Sequence, residues 1–163
     1  MFLKDYYPKL NKKYNKVKFE GIAFDSCKVK KGYIFFAIKG NNVDGNKFVK
    51  EAIKKGSKII ISENIKERYE NKILYLKNKN PRKIIAEIAS KINYIRPNNL
   101  IAVTGTNGKS SIANFYYQIL KLNKKKVSSI GTLGISGINY KKNVSNTTFD
   151  PIQINEILST LKK

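Results

Sequence analysis

The feature that most restricts how this 163-residue chain can fold is the run Gly105-Thr106-Asn107-Gly108-Lys109-Ser110-Ser111. It falls between an apolar segment, residues 100–104, and an amphipathic one, residues 109–122. A glycine turn that leads from a strand into a helix gathers backbone N–H groups at the positive end of the helix dipole. The Gly-Lys-Ser ending is that of a phosphate loop, in which Lys109 reaches the β- and γ-phosphates of ATP and the Ser110 hydroxyl ligates Mg²⁺. Five positions before Gly108 stands Val103, where the standard spacing has glycine. The competing reading is a plain glycine turn carrying a solvated lysine.

The remaining chain alternates short apolar strands with amphipathic helices, which predicts an α/β fold with mainly parallel strands. Gly32 leads into residues 33–38, a continuous apolar run that suits a strand buried on both faces. Asp44 and Gly45 open a helix with Phe48, Val49, Ala52 and Ile53 on one face, stopped at Gly56. Residues 58–62 and 73–76 read as further strands. Asn80 and Pro81 read as cap and first turn of a helix burying Ile84, Ile85, Ile88, Ala89, Ile92 and Ile95. The polar break Arg96-Pro97-Asn98-Asn99 is the best boundary in the chain, which divides it into domains 1–97 and 98–163. In the second, residues 100–104 and 127–130 are predicted strands. The helix at 109–122 turns Ile112, Tyr116, Ile119 and Leu120 inward. Asp150 and Pro151 start a last helix with Ile154, Ile157, Leu158 and Leu161 on one face.

Composition removes several chemistries. There is no His and one Cys, Cys27, so catalytic arrangements that need histidine, multi-cysteine zinc sites and intramolecular disulfides are out of reach of these residues. The apolar runs are far shorter than the ~20 residues of a membrane span, and the first thirteen residues lack the core of a secretory signal. A reducing cytoplasm is the expected compartment, with no membrane insertion. The net charge of +22 raises nucleic acid as a partner, yet only Arg68, Arg82 and Arg96 among the 33 basic residues are arginine. Lysines scattered along the whole chain suit nonspecific attraction to polyanions better than built recognition, so no specific nucleic-acid partner is expected.

The loop, with Thr104-Gly105-Thr106 before Asn107-Gly108-Lys109, resembles the nucleotide loop of the Mur ligase family. Asp25-Ser26-Cys27-Lys28-Val29, followed by Lys31-Gly32-Tyr33-Ile34-Phe35-Phe36-Ala37, is similar to the family's Asp-Ser-Arg opening and its first buried strand. Lys39-Gly40-Asn41-Asn42-Val43-Asp44-Gly45 resembles its Gly-x-x-x-Asp-Gly substrate loop. Ile130-Gly131-Thr132-Leu133-Gly134, Asn146-Thr147-Thr148 and Asp150-Pro151 resemble segments of the branch that adds the third residue of the peptide.

The resemblance implies a small N-terminal α/β substrate domain, followed by the start of a P-loop (Rossmann-like) parallel-sheet ATPase domain. It also implies an ATP-dependent, amide-forming ligase of peptidoglycan synthesis. UDP-N-acetylmuramoyl-dipeptide and a diamino acid would be its substrates, ATP and Mg²⁺ its cofactors, and an acyl phosphate its intermediate. Gly105, Thr106, Asn107, Gly108, Lys109, Ser110 and Ser111 would bind ATP, with Lys109 catalytic and Ser110 the metal ligand. Phe24 and Ser26 would hold the uridine end, Asn41, Asn42 and Val43 the uracil side, and Asn146, Thr147 and Thr148 the muramoyl-peptide part.

Each assignment has a plainer competitor. Asp25-Ser26 and Asp44-Gly45 are ordinary turn formers, residues 146–148 could be a polar loop before a capped helix, and Tyr116 and Tyr117 could simply pack. Cys27 stands where the family has Arg, which removes a cation and five donors. The family's later magnesium ligands and amino-acid-binding domain have no counterpart here. The chain is therefore expected to be the N-terminal portion of a ligase, inactive alone, of a protein that is monomeric at full length. The alternatives are another P-loop ATPase or kinase and a lysine-rich nucleic-acid-binding module.

Overall fold

The computed structural model describes residues 1–40, 43–137, 140–142 and 149–162. The chain forms two compact units, Met1–Ile92 and Asn93–Lys163.

The first unit is built on one sheet. Strands β1 (Gly21–Ala23), β2 (Tyr33–Ala37), β3 (Ile59–Ser62), β4 (Arg68–Glu70) and β5 (Ile73–Lys77) lie in the order β1-β2-β3-β5-β4. All neighbours are parallel except the edge pair β4 and β5. The apolar runs predicted near 33–38, 58–62 and 73–76 are the three inner strands. Ile34, Phe35 and Phe36 sit opposite Ile59, Ile60 and Ile61, all with no exposed surface. Such runs occur where helices cover both faces of a parallel sheet. Side chains alternate along a strand, so Ala23, Phe35, Ala37 and Ile60 share a face. Ala52, Val49 and Ile53 of α1 (Val49–Lys54) pack on that face. The other face carries Ile34, Phe36, Ile59, Ile61 and Leu74. Helix α2 (Pro81–Ile92), which lies along β2, buries Ile84, Ile85, Ile88 and Ala89.

Asn80 Oδ1 accepts from the Lys83 N–H at 3.0 Å, so the cap and the Pro81 first turn form as the sequence predicts. The helix stops at Ile92, however, and leaves Ile95 exposed. Residues 93–99 instead belong to the second unit. There an Arg96 guanidinium N–H donates to Asn155 Oδ1 at 2.9 Å and Lys162 Nζ to Asn98 Oδ1 at 2.7 Å.

In the second unit, α3 (Lys109–Leu122) and α4 (Pro151–Lys162) accompany a sheet of β6 (Ser129–Gly131), β7 (Gly134–Gly137) and β8 (Tyr140–Lys142). Among the described residues these three strands pair antiparallel. Residues 100–104 do not form the predicted strand, and Leu100 and Ile101 are exposed. A strand needs a neighbour to take up its N–H and C=O groups, and no described strand pairs with this segment. The helix at 109–122 forms as expected, but Ile112, Tyr116 and Ile119 lie on its exposed side and none of its residues is buried. In α4 the Asp150 carboxylate accepts from the N–H groups of Ile152 and Gln153, both at 2.9 Å.

Candidate functional site

The glycine loop sits at the start of α3. Gly105 has φ +144° and Gly108 φ +75°, values that L side chains rarely adopt. A Cβ at Gly108 would meet nothing within 4 Å, so conformation and not space calls for glycine there. Gly108 occupies the helix cap position without a side chain accepting the first-turn N–H groups. Those donors, at the positive end of a fourteen-residue helix, suit an anion. Lys109 arches back over the loop, donating to the Gly105 carbonyl and, at 2.9 Å, to the Thr106 carbonyl. Its ammonium therefore lies on the same side as the loop it springs from. All of Gly105 to Ser111 is exposed.

The Ser110 hydroxyl lies 2.9 Å from that of Thr132, in the turn between β6 and β7. Sequence reading assigned no role to Thr132, because its proximity to Ser110 arises only when the hairpin folds. The two hydroxyls offer neutral oxygens. Among the described residues no cluster of three or more His, Cys, Asp or Glu occurs. Magnesium takes hard oxygen ligands, commonly one or two carboxylates together with phosphates. These residues thus fit an ion carried in by nucleotide phosphates and not one held by protein alone.

In the first unit, Ser26 begins a 3-10 turn after β1 and is buried; Phe24 beside it is half-buried. Asp25 Oδ1 accepts from the Cys27 N–H at 2.8 Å, while the Ser26 hydroxyl donates to Glu51 Oε2 at 2.9 Å. Lys55 Nζ donates to Glu51 Oε1 at 2.6 Å and to the Ser26 carbonyl at 3.1 Å. Lys55, and next the Ser26 hydroxyl, hold the Glu51 carboxyl below its ordinary range, and Glu51 in turn raises Lys55. Cys27 is exposed, with a free thiol.

The Gly40 N–H donates to the Val43 carbonyl at 2.9 Å, and Val43 is exposed. Asp44 Oδ1 accepts from the Asn46 N–H at 2.9 Å, and these bonds lower its pKa. Gly45 donates to the Ile38 carbonyl, and a Cβ there would stand 2.6 Å from that oxygen, so close approach demands glycine. Asn41, Asn42, Asn146, Thr147 and Thr148 lie outside the described residues.

An open cleft of about 270 Å³ lies at the carboxyl ends of β2, β3 and β5, bordered by Lys39, Asn46, Asn64, Lys79 and Arg82. The carboxyl edge is where open α/β sheets take ligands.

An open, mostly parallel sheet with helices packed on its faces defines an α/β protein. Residues 18–93 match the family described as Mur ligase family, catalytic domain, and residues 103–163 match the Mur ligase middle domain. The chain belongs to the Mur ligase family.

It is 36% identical over 157 residues to a Rickettsia prowazekii (strain Madrid E) protein named UDP-N-acetylmuramoyl-L-alanyl-D-glutamate--2,6-diaminopimelate ligase. That alignment covers 93% of this chain and 32% of the relative. A Clostridioides difficile (strain 630) protein of the same name is 41% identical over 136 residues, covering 81% of this chain and 27% of the relative. A solved structure of a ligase so named superposes with TM-score 0.75 at 22% identity, over 99% of this chain and 33% of that one, which shows the shared fold. The chain thus spans about a third of the length of the relatives it matches. Among the described residues no helix is long and apolar enough to cross a membrane.

Proposed function

We propose that this chain provides the UDP-substrate-binding unit and the opening of the ATP-binding unit of a peptidoglycan ligase. That ligase joins a diamino acid to UDP-N-acetylmuramoyl-L-alanyl-D-glutamate. The observation that carries the reading is the 36% identity that runs through both units to a ligase of that name.

In this reading the first unit holds the uridine end at Phe24, Ser26 and residues 41–43. Asn146, Thr147 and Thr148 grip the muramoyl-peptide part. The first-turn N–H groups of α3 and the ammonium of Lys109 bind and orient the ATP phosphates, neutralising charge that develops on the transferred phosphoryl group. Ser110, oriented by Thr132, would be the residue that holds the Mg²⁺ accompanying the nucleotide. Magnesium supplies further neutralisation when bound. The substrate carboxylate takes the γ-phosphoryl group of ATP, releasing ADP and giving an acyl phosphate; the amine then attacks the acyl carbon, the C–O bond to phosphate breaks, and inorganic phosphate and a proton leave as the amide forms. Residues here bind and position; the chain alone does not turn over. The protein acts in the cytoplasm, monomeric at full length and without a specific nucleic-acid partner.

The test is calorimetric titration of the chain with UDP-N-acetylmuramoyl-L-alanyl-D-glutamate at moderate salt, with single-stranded DNA as competitor. Saturable binding that DNA does not displace is expected. Absence of binding, together with DNA affinity that salt abolishes, would overturn the reading in favour of a basic nucleic-acid module.

A further inference from the structure

Ser26, Glu51 and Lys55 meet beside the turn that follows β1, and their hydrogen bonds determine which way the serine can act. An ionised carboxylate has no proton to give, so in the 2.9 Å contact the Ser26 hydroxyl must be the donor and Glu51 the acceptor. A hydroxyl owns one proton. Once it is committed to Glu51, only lone pairs face anything else. Lys55 secures the arrangement from two sides, through Glu51 Oε1 and through the Ser26 carbonyl. The Asp25 cap on the Cys27 N–H then pins the other side of the same turn.

We infer that Glu51, steadied by Lys55, makes Ser26 an obligate acceptor, so that the subsite beside it takes a donor group of a nucleoside and turns away groups that offer only lone pairs. Two parts of a uridine nucleotide can donate there, the N3–H of the base and the ribose 2′-hydroxyl. A phosphate oxygen and the N3 of cytosine cannot. The inference rests on the reading of Ser26 as part of the uridine site and goes beyond it by assigning the polarity of the contact to Glu51. Glu51 and Lys55 are positioning residues here, since they act through Ser26.

The experiment is calorimetric titration of the chain with UDP, CDP and 2′-deoxy-UDP, with thermal melting of every variant as the folding check. Leaving an acceptor without its donor costs on the order of 10- to 100-fold in affinity. If the base N–H is the donor, CDP binds weaker than UDP by that factor; if the ribose hydroxyl is, 2′-deoxy-UDP does. In either case Glu51→Ala frees the serine proton and shrinks the discrimination to about twofold. Ser26→Ala removes the acceptor itself and abolishes the discrimination without touching the ion pair, which keeps the test open should Glu51→Ala not fold. Equal affinity for all three nucleotides, or discrimination that survives in folded Glu51→Ala or Ser26→Ala, overturns the inference while leaving the uridine site standing. A chain that binds none of the three overturns the uridine site, and the inference with it.

Discussion

The hydroxyls of Ser110 and Thr132 are 2.9 Å apart, one on the first turn of α3 and the other in the hairpin turn between β6 and β7. The loop that resembles a phosphate cradle is therefore buttressed from a segment more than twenty residues downstream. Thr132→Val breaks this tie while preserving shape. It is expected to weaken ATP binding in the presence of Mg²⁺ by about 2- to 10-fold, the net worth of one hydrogen bond. Ser110→Ala should reduce the dependence of ATP affinity on Mg²⁺, read by titration with and without a chelator. An Mg²⁺ effect of undiminished size in Ser110→Ala counts against this serine as a ligand.

Lys109→Ala should lower ATP affinity by on the order of 10- to 100-fold, the loss of a charge-assisted hydrogen bond. Affinity for UDP should stay unchanged, because Ser26 and Glu51 lie in the other compact unit. Paired titrations with the two nucleotides decide it, and equal loss of both would sink the division of labour.

Acid should weaken the first unit in a predictable direction. Lys55 first and Ser26 second hold Glu51 below its ordinary 4.5, and the backbone and side chain of Asn46 hold Asp44 below 3.8. In both cases the unfolded chain binds the proton more tightly. The stabilisation is therefore complete above the ordinary carboxylate value and drains away as pH falls through the folded value. Lys55, raised above 10.5 by Glu51, contributes below that pH and loses its contribution as pH rises through its folded value. Solvent screens these pairs, so the effect should shrink with salt. Melting temperatures of Glu51→Gln and Asp44→Asn should fall below wild type at neutral pH and converge with it in acid; parallel curves would refute the assignment.

Gly45→Ala sets a Cβ 2.6 Å from the Ile38 carbonyl oxygen and 2.7 Å from its nitrogen, both backbone atoms that cannot swing aside. A loss of about 1–3 kcal/mol in denaturant unfolding is expected. Stability within error of wild type would mean that the turn relaxes freely.

The inner strands were legible because Ile34 to Phe36 and Ile59 to Ile61 are unbroken apolar runs, and α2 because Asn80, Pro81 and four core-facing apolar residues agree on one register. The edge strands β1 and β4 were not legible. Each is three residues long, and Arg68-Tyr69-Glu70 is wholly exposed, so neither alternation nor apolar run marks it. Residues 100–104 misled for the opposite reason, since an apolar run states a preference that only a neighbouring strand can satisfy. At the candidate site, the glycine loop could be read because its residues are contiguous. Glu51, Lys55 and Thr132 could not, because each meets its partner across a fold.

The exposed row Ile112, Phe115, Tyr116, Ile119 and Leu122 on α3 has a colloidal consequence. Molecules bearing a greasy stripe stay apart in dilute buffer because each also carries +22 charges, and that repulsion reaches only as far as the ionic atmosphere allows. Adding salt shortens its reach from ~30 Å at 0.01 M to ~3 Å at 1 M and leaves the stripe as attractive as before. Light scattering from this chain should accordingly rise with ionic strength, the reverse of a protein that clumps through its charges.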